Sequence, residues 1–184
     1  MTKANIILGI DPGTTIMGYG VIEVTGKKAR AVTLGVVNLR KIDDHYEKIM
    51  LVFKRTLGLI EEYHPDAMAI EAPFYGKNVQ SMLKLGRAQG VAIAAALSKG
   101  IPIFEYAPRK IKMSITGQGS ASKEQVAGLL KTLLQLKELP RDLDATDGLA
   151  AAFCHFLQQE RPSGAQRSPS WKEYIRKNPG RISS

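Results

Sequence analysis

Asn5-Ile6-Ile7-Leu8-Gly9-Ile10-Asp11-Pro12-Gly13-Thr14-Thr15 is the stretch on which the fold turns. The short apolar run up to Ile10 breaks off at an acid and a Pro-Gly pair, the pattern of a strand entering a tight turn. Outward from it, Tyr19 to Thr25 and Ala29 to Leu39 read as two further strands joined by a turn around Gly26-Lys27-Lys28, which predicts three adjacent antiparallel strands. From His45 to Tyr63 the period becomes helical, with Ile49, Val52, Phe53, Leu57 and Ile60 on one face and His64-Pro65 as the stop. Ala67 to Glu71 gives a fourth strand, Asn78 to Lys99 a long helix ended by Gly100, and Ile101 to Tyr106 a fifth strand. Ser122-Lys123-Glu124-Gln125 fits a capping box ahead of an apolar run through Leu134, and a last helix is expected from about Asp142 to Gln159. The expected architecture is α/β, a five-stranded mixed sheet with helices on both faces.

The 184 residues suit one compact domain, and 44% hydrophobic residues suffice for a core. The domain is expected to span residues 1–160. Residues 161–184 carry Arg161, Arg167, Lys172, Arg176, Lys177 and Arg181 against Glu173, with Pro162, Pro169 and Pro179, and read as a flexible basic tail. Its +5 is part of a net charge of +9, leaving +4 for the domain, so a nucleic-acid partner does not follow from charge alone. Cys154 is the single cysteine, which excludes an internal disulfide and favours a reducing compartment. The N-terminus, Met1 to Asn5, runs straight into a short apolar stretch without the long apolar region of a signal peptide or membrane span, so a cytoplasmic location is expected.

Four acids stand at strand ends or on a helix face: Asp11, Glu71, Asp144 and Asp147. Asp144 and Asp147, three apart, share one face of the last helix, which also carries Leu149, Ala152, Phe153 and Phe156 for packing on the sheet. Any one of these acids could serve a turn or a helix N-terminus. An acid closing a buried apolar strand twice, at Ile10-Asp11 and Ile70-Glu71, points elsewhere. Carboxylates converging near an apolar core repel unless a cation lies among them. Hard oxygen donors suit Mg²⁺ or Mn²⁺, and two such ions about 4 Å apart promote phosphodiester hydrolysis. No His and Cys cluster suggests zinc.

Gly9-Ile10-Asp11-Pro12-Gly13-Thr14, Gly18-Tyr19-Gly20-Val21-Ile22, Ile70-Glu71, Phe74-Tyr75-Gly76-Lys77-Asn78, Leu83-Lys84-Leu85-Gly86 and Asp144-Ala145-Thr146-Asp147 together resemble the bacterial RuvC Holliday-junction resolvases. The resemblance runs from residue 5 to about 158 and joins six motifs in order. It implies a ribonuclease-H-like fold, with Asp11, Glu71, Asp144 and Asp147 as catalytic metal ligands for two Mg²⁺ or Mn²⁺ ions. It further implies a homodimer that nicks two opposed strands of a four-way junction during recombination and repair, working with RuvA and RuvB. Some members of the family place a histidine where Asp144 stands.

Phe74 and Tyr75 follow a catalytic strand and precede Lys77 and Asn78, a combination that can stack on unpaired bases and hold phosphate. The resemblance implies that Phe74 inserts at the junction centre. Lys84 and Arg87, then Arg109, Lys110 and Lys112, and Lys123 at a helix start are candidates for a phosphate track. Lys112 and Lys123 match family positions near the scissile backbone. Gly117-Gln118-Gly119-Ser120 would let backbone amides approach a phosphate. Gly86 and Gly90 permit close helix approach, either to a second subunit or to their own sheet.

Three other functions compete. Asp11-Pro12-Gly13-Thr14-Thr15 also looks like the phosphate loop of the actin and sugar-kinase ATPases, but those need a second lobe that 184 residues hardly accommodate. A ribonuclease-H-like nuclease acting on RNA or a hybrid would use the same acids and differ at the 74–78 loop. A junction-binding module without catalysis would not need four acids.

Overall fold

The computed structural model describes residues 4–73 and 78–159. β1 (Asn5–Asp11), β2 (Ile16–Thr25) and β3 (Lys28–Asn38) form the antiparallel unit, followed by α1 (His45–Tyr63) and β4 (Ala67–Glu71). Next come α2 (Val79–Ser98), β5 (Ile103–Tyr106), α3 (Pro108–Thr116), α4 (Lys123–Leu133) and α5 (Asp144–Gln159). The sheet order is β3-β2-β1-β4-β5, with β1, β4 and β5 parallel. The expected five-stranded mixed sheet is therefore present.

Central strands lose water on both sides, which is why β1 and β4 are almost continuously apolar rather than alternating. Ile7, Ile22 and Ala69 pack with Ile111, Val126, Leu130, Leu149 and Phe153, so α3, α4 and α5 cover one face. Leu8, Ile10, Val21, Met68 and Ile70 pack with Val52, Leu59, Ile60, Ala92 and Ala96, so α1 and α2 cover the other. Among the described residues no helix is long and apolar enough to cross a membrane.

Local signals set most of the boundaries. Asp44 caps α1 by accepting from the Glu47 amide, and His64 closes it in the left-handed region at φ 46°. Asn78 caps α2 by accepting from Ser81, and Ser122 with Gln125 forms the reciprocal capping box of α4. Three expectations need correction. β2 begins three residues earlier than expected, because Ile16 and Met17 are buried and pair with Asn38 and Val37 directly after the turn. The buried row of α1 is Val52, Thr56, Leu59 and Ile60, while Ile49, Phe53 and Leu57 lie half-buried on the adjoining row. Finally, α3 was not anticipated. It has Pro108 in its first turn, Ile111 and Ile115 buried one turn apart, and Gly117 closing it at φ 75°.

Candidate active site

Alternation along the strands aims the first two acids. Ile10 and Ile70 belong to the α1 and α2 side, so Asp11 and Glu71, one residue on, turn toward α3, α4 and α5. Pairing of Ile10 with Ile70 sets both acids level at the carboxyl ends of β1 and β4. In open α/β sheets that edge is where ligands bind when strand order reverses, as it does here between β1 and β4.

α5 supplies the other two acids by lying directly on the backbone of the β1–β2 hairpin. A Cβ on Gly9 would stand 2.0 Å from the Gly148 carbonyl oxygen, and one on Gly18 would stand 2.2 Å from that of Asp144. Only hydrogen fits at these crossings, and the first turn of α5 is thereby pressed against the end of the sheet. Gln89 of α2, itself buried, braces the strand end by donating to the Glu71 carbonyl at 3.4 Å and to Glu105 at 3.0 Å.

Asp11, Glu71 and Asp147 line one cleft of about 550 Å³ together with Arg109, Lys112, Gly119 and Lys123. Asp144 stands at its margin and is tied in through Lys123, whose ammonium donates to Asp144 Oδ1 at 2.6 Å and to Asp147 Oδ2 at 2.5 Å. Burial, and then the neighbouring Asp147, raise the pKa of Asp11 to about 6. Burial, and then Asp11, raise that of Glu71 to about 8. Asp147 is also raised by burial, against the opposing pull of Lys123. Burial alone would lower Lys123, but its hydrogen bonds to both aspartates outweigh that and raise it.

Under-solvated carboxylates of this kind need positive charge, and their hard oxygens match Mg²⁺ or Mn²⁺ better than a softer ion. The donor set thus fits a divalent cation. In this arrangement no three His, Cys, Asp or Glu side chains among the described residues already stand at metal-binding spacing. The Lys123 ammonium bridges Asp144 and Asp147 instead.

The other expected contacts divide. Lys112 and Lys123 lie in the cleft, whereas Lys84 and Arg87 are exposed one turn apart on α2. Leu85 on that helix borders a smaller recess that also touches Asp11, Glu71 and Pro73. Asn78 spends its side-chain oxygen on the cap of α2. Phe74, Tyr75 and Lys77, like the tail, lie outside the described residues. A Cβ on Gly86 or Gly90 would meet nothing within 4 Å among the described residues, so these glycines are not packed on their own sheet. Cys154 is buried, and His155 is buried between Tyr106 and Gln159, hydrogen-bonded at 2.7 and 2.9 Å.

The sequence places Arg109 only among several candidates for a phosphate track and gives Gln89 no role. In the structure α3 presents Arg109 beside Lys112, and a Cβ on Gly119 would stand 2.5 Å from the Arg109 Cγ. Gln89 carried no signal at all, since a lone glutamine in a helical run looks like surface.

A mixed 3-2-1-4-5 sheet with acids closing β1 and β4, crossed by a helix bearing two more, has the architecture of the ribonuclease-H-like class. Residues 7–155 match the family described as crossover junction endodeoxyribonuclease RuvC. The chain belongs to that family, whose members are metal-dependent nucleases. It is 60% identical over 182 residues to the crossover junction endodeoxyribonuclease RuvC of Bacteroides fragilis, covering 98% of this chain and 97% of that protein. It is 55% identical to the Porphyromonas gingivalis protein of the same name, covering 98% of each. The structure of Thermus thermophilus RuvC in complex with a Holliday junction substrate matches with a TM-score of 0.78 and 33% identity, over 84% of this chain and 94% of that one.

Proposed function

We propose that this chain resolves four-way DNA junctions by metal-dependent hydrolysis, nicking two opposed strands, with Asp11, Glu71, Asp144 and Asp147 as the metal ligands. The observation that carries this reading is the gathering of Asp11, Glu71 and Asp147 with Arg109, Lys112 and Lys123 in one cleft. The relative from Thermus thermophilus, similar over most of both chains, was solved with a Holliday junction substrate. That match supports junction DNA over RNA or a hybrid as the substrate.

Two Mg²⁺ or Mn²⁺ ions, when bound, would activate water and offset the charge that builds on the leaving oxygen. The protein's own groups set the geometry. Asp11 and Glu71 are carried on adjacent parallel strands, and Asp147 on a helix clamped by glycine contacts, so packing sets the backbone that bears three of the proposed ligands. Lys112 and Arg109 face the same cleft and would hold the scissile phosphodiester by its non-bridging oxygens. Lys84 and Arg87 would extend that track along α2. Asn78 ends the 74–78 loop, in which Phe74 and Tyr75 would stack at the unpaired centre of the junction and Lys77 would hold phosphate.

Two symmetric nicks need two sites, which a homodimer would supply, with the open Gly86 and Gly90 face of α2 as a surface able to approach a second copy. RuvA and RuvB are the partners the family implies, in the cytoplasm. Residues 161–184 would form a basic appendage to a domain ending near residue 160, adding affinity for DNA without specificity.

The reading is tested with Mg²⁺ and three substrates: a synthetic four-way junction, a linear duplex and an RNA–DNA hybrid. Paired symmetric nicks confined to the junction are expected. Cleavage of the hybrid would keep the site and change the substrate, while tight junction binding without cleavage in any divalent metal would leave a binding module.

A further inference from the structure

Lys123 is held at the first position of α4 by the Ser122 capping box, and it lines the cleft. Its Nζ lies between the two acids of α5, within 2.6 Å of both. A monovalent cation therefore already sits where two of the proposed metal ligands meet. Its side chain is nearly half exposed, while that of Asp147 is 17% exposed, so the lysine has solvent to withdraw into and the aspartate does not. Lys112, which faces the same carboxylates from α3, makes no ion pair with them.

From this we infer that Lys123 is an exchangeable internal counter-ion: its ammonium holds Asp144 and Asp147 together in the metal-free protein and must leave them when a divalent ion binds. The inference rests on the reading that these acids are metal ligands. The bridge engages one oxygen each of Asp144 and Asp147, two of the four proposed ligands, and among the described residues no three acids stand at metal-binding spacing while it is made. The ammonium takes Asp144 Oδ1 and Asp147 Oδ2, and a divalent ion held by those same oxygens displaces it, so lysine and metal compete and their coupling is negative and reciprocal. The released ammonium remains in the cleft, where a phosphodiester oxygen of the substrate is the anion it would next meet.

The test is Mn²⁺ binding to the full-length protein without DNA, followed by calorimetry at pH 8 for wild type, Lys123→Met, Lys112→Met and Asp147→Asn. Competition predicts that Lys123→Met binds Mn²⁺ roughly tenfold tighter than wild type, and that Lys112→Met, which only removes a nearby charge, gains much less. Lys123→Met should also melt at a lower temperature than wild type in EDTA and recover more on adding Mn²⁺. Equal affinities for wild type and Lys123→Met, or equal gains in the two lysine variants, would overturn the exchange while leaving the metal site intact. Failure of Mn²⁺ to bind wild type, or undiminished binding by Asp147→Asn, would overturn the metal-ligand reading itself and the exchange with it.

Discussion

Glu71 stands level with Asp11 because Ile70 and Ile10, the residues before them, pair in parallel register across β4 and β1. Side by side at the end of a buried sheet, the two carboxyl groups share too little solvent to ionise independently, and their proton affinities rise to pKa values of about 6 and about 8. Unfolded, they would return toward 3.8 and 4.5. Between those limits the folded chain binds more protons than the unfolded one, so stability falls as pH rises.

That sign gives a first prediction for the metal-free protein. In EDTA, the melting temperature should drop between pH 5 and pH 8, and the drop should be smaller in Glu71→Gln, which cannot ionise. At pH 8 the variant should be the more stable of the two. Parallel pH profiles for both proteins would contradict the assignment of Glu71 as a strained acid.

Packing of α5 on the hairpin leaves no room for a methyl group at Gly9, where a Cβ would stand 2.0 Å from the Gly148 carbonyl oxygen and 2.6 Å from the Ala152 nitrogen. Both obstacles are backbone. Gly9→Ala should therefore cost about 3 kcal/mol or more in urea unfolding, as overpacking against atoms that cannot repack. A change below about 1 kcal/mol would mean that the helix can ride higher on the sheet.

Ser122 is a modest residue with a positional role. Its hydroxyl accepts from the Gln125 backbone amide at 3.3 Å, and the Gln125 side-chain oxygen accepts from the Ser122 backbone amide at 2.9 Å. Ser122→Ala should cost about 1 kcal/mol of stability. Because Lys123 follows it directly, cleavage should fall further than stability does, whereas loss of stability alone would show that the cap does not position the lysine.

Tyr106 pairs with Glu71 across β5 and β4 and places its hydroxyl 2.7 Å from His155 Nδ1. His155 is buried and stacked on Phe104, and burial lowers its pKa, so it stays neutral at physiological pH. Tyr106→Phe should cost about 1 to 2 kcal/mol by leaving a buried ring nitrogen without its partner. Cleavage per folded molecule should be unchanged, and thermal melts beside initial rates would separate the two effects.

The strands and the long helices were legible because their apolar periods are strong and their ends carry explicit signals, His64-Pro65, Gly100 and Ser122 among them. Asp11 and Glu71 were legible as anomalies, acids directly after runs that packing requires to be apolar, and Asp144 and Asp147 as a pair three apart on one helix face. What the sequence hid depends on three-dimensional approach. α3 is nine residues long and basic, with only Ile111 and Ile115 buried, too few repeats for a period to stand out. Gly9, Gly18 and Gly148 look like ordinary glycines until the helix is laid on the hairpin. The bridge from Lys123 to both aspartates joins residues more than twenty positions apart, and no local pattern encodes it.

Asp11, Glu71, Asp144 and Asp147 are proposed to hold the metal that cuts the junction. That assignment is met most directly by comparing wild type with Asp11→Asn, Glu71→Gln, Asp144→Asn and Asp147→Asn for junction binding and junction cleavage in Mg²⁺. Each variant should bind the junction about as well as wild type, and the cleavage rate should fall about a thousandfold, the scale of losing several kcal/mol of metal-borne transition-state stabilisation. Cleavage at near wild-type rates after neutralising Asp11, Glu71 or Asp147 would place the chemistry outside this cleft and contradict the account.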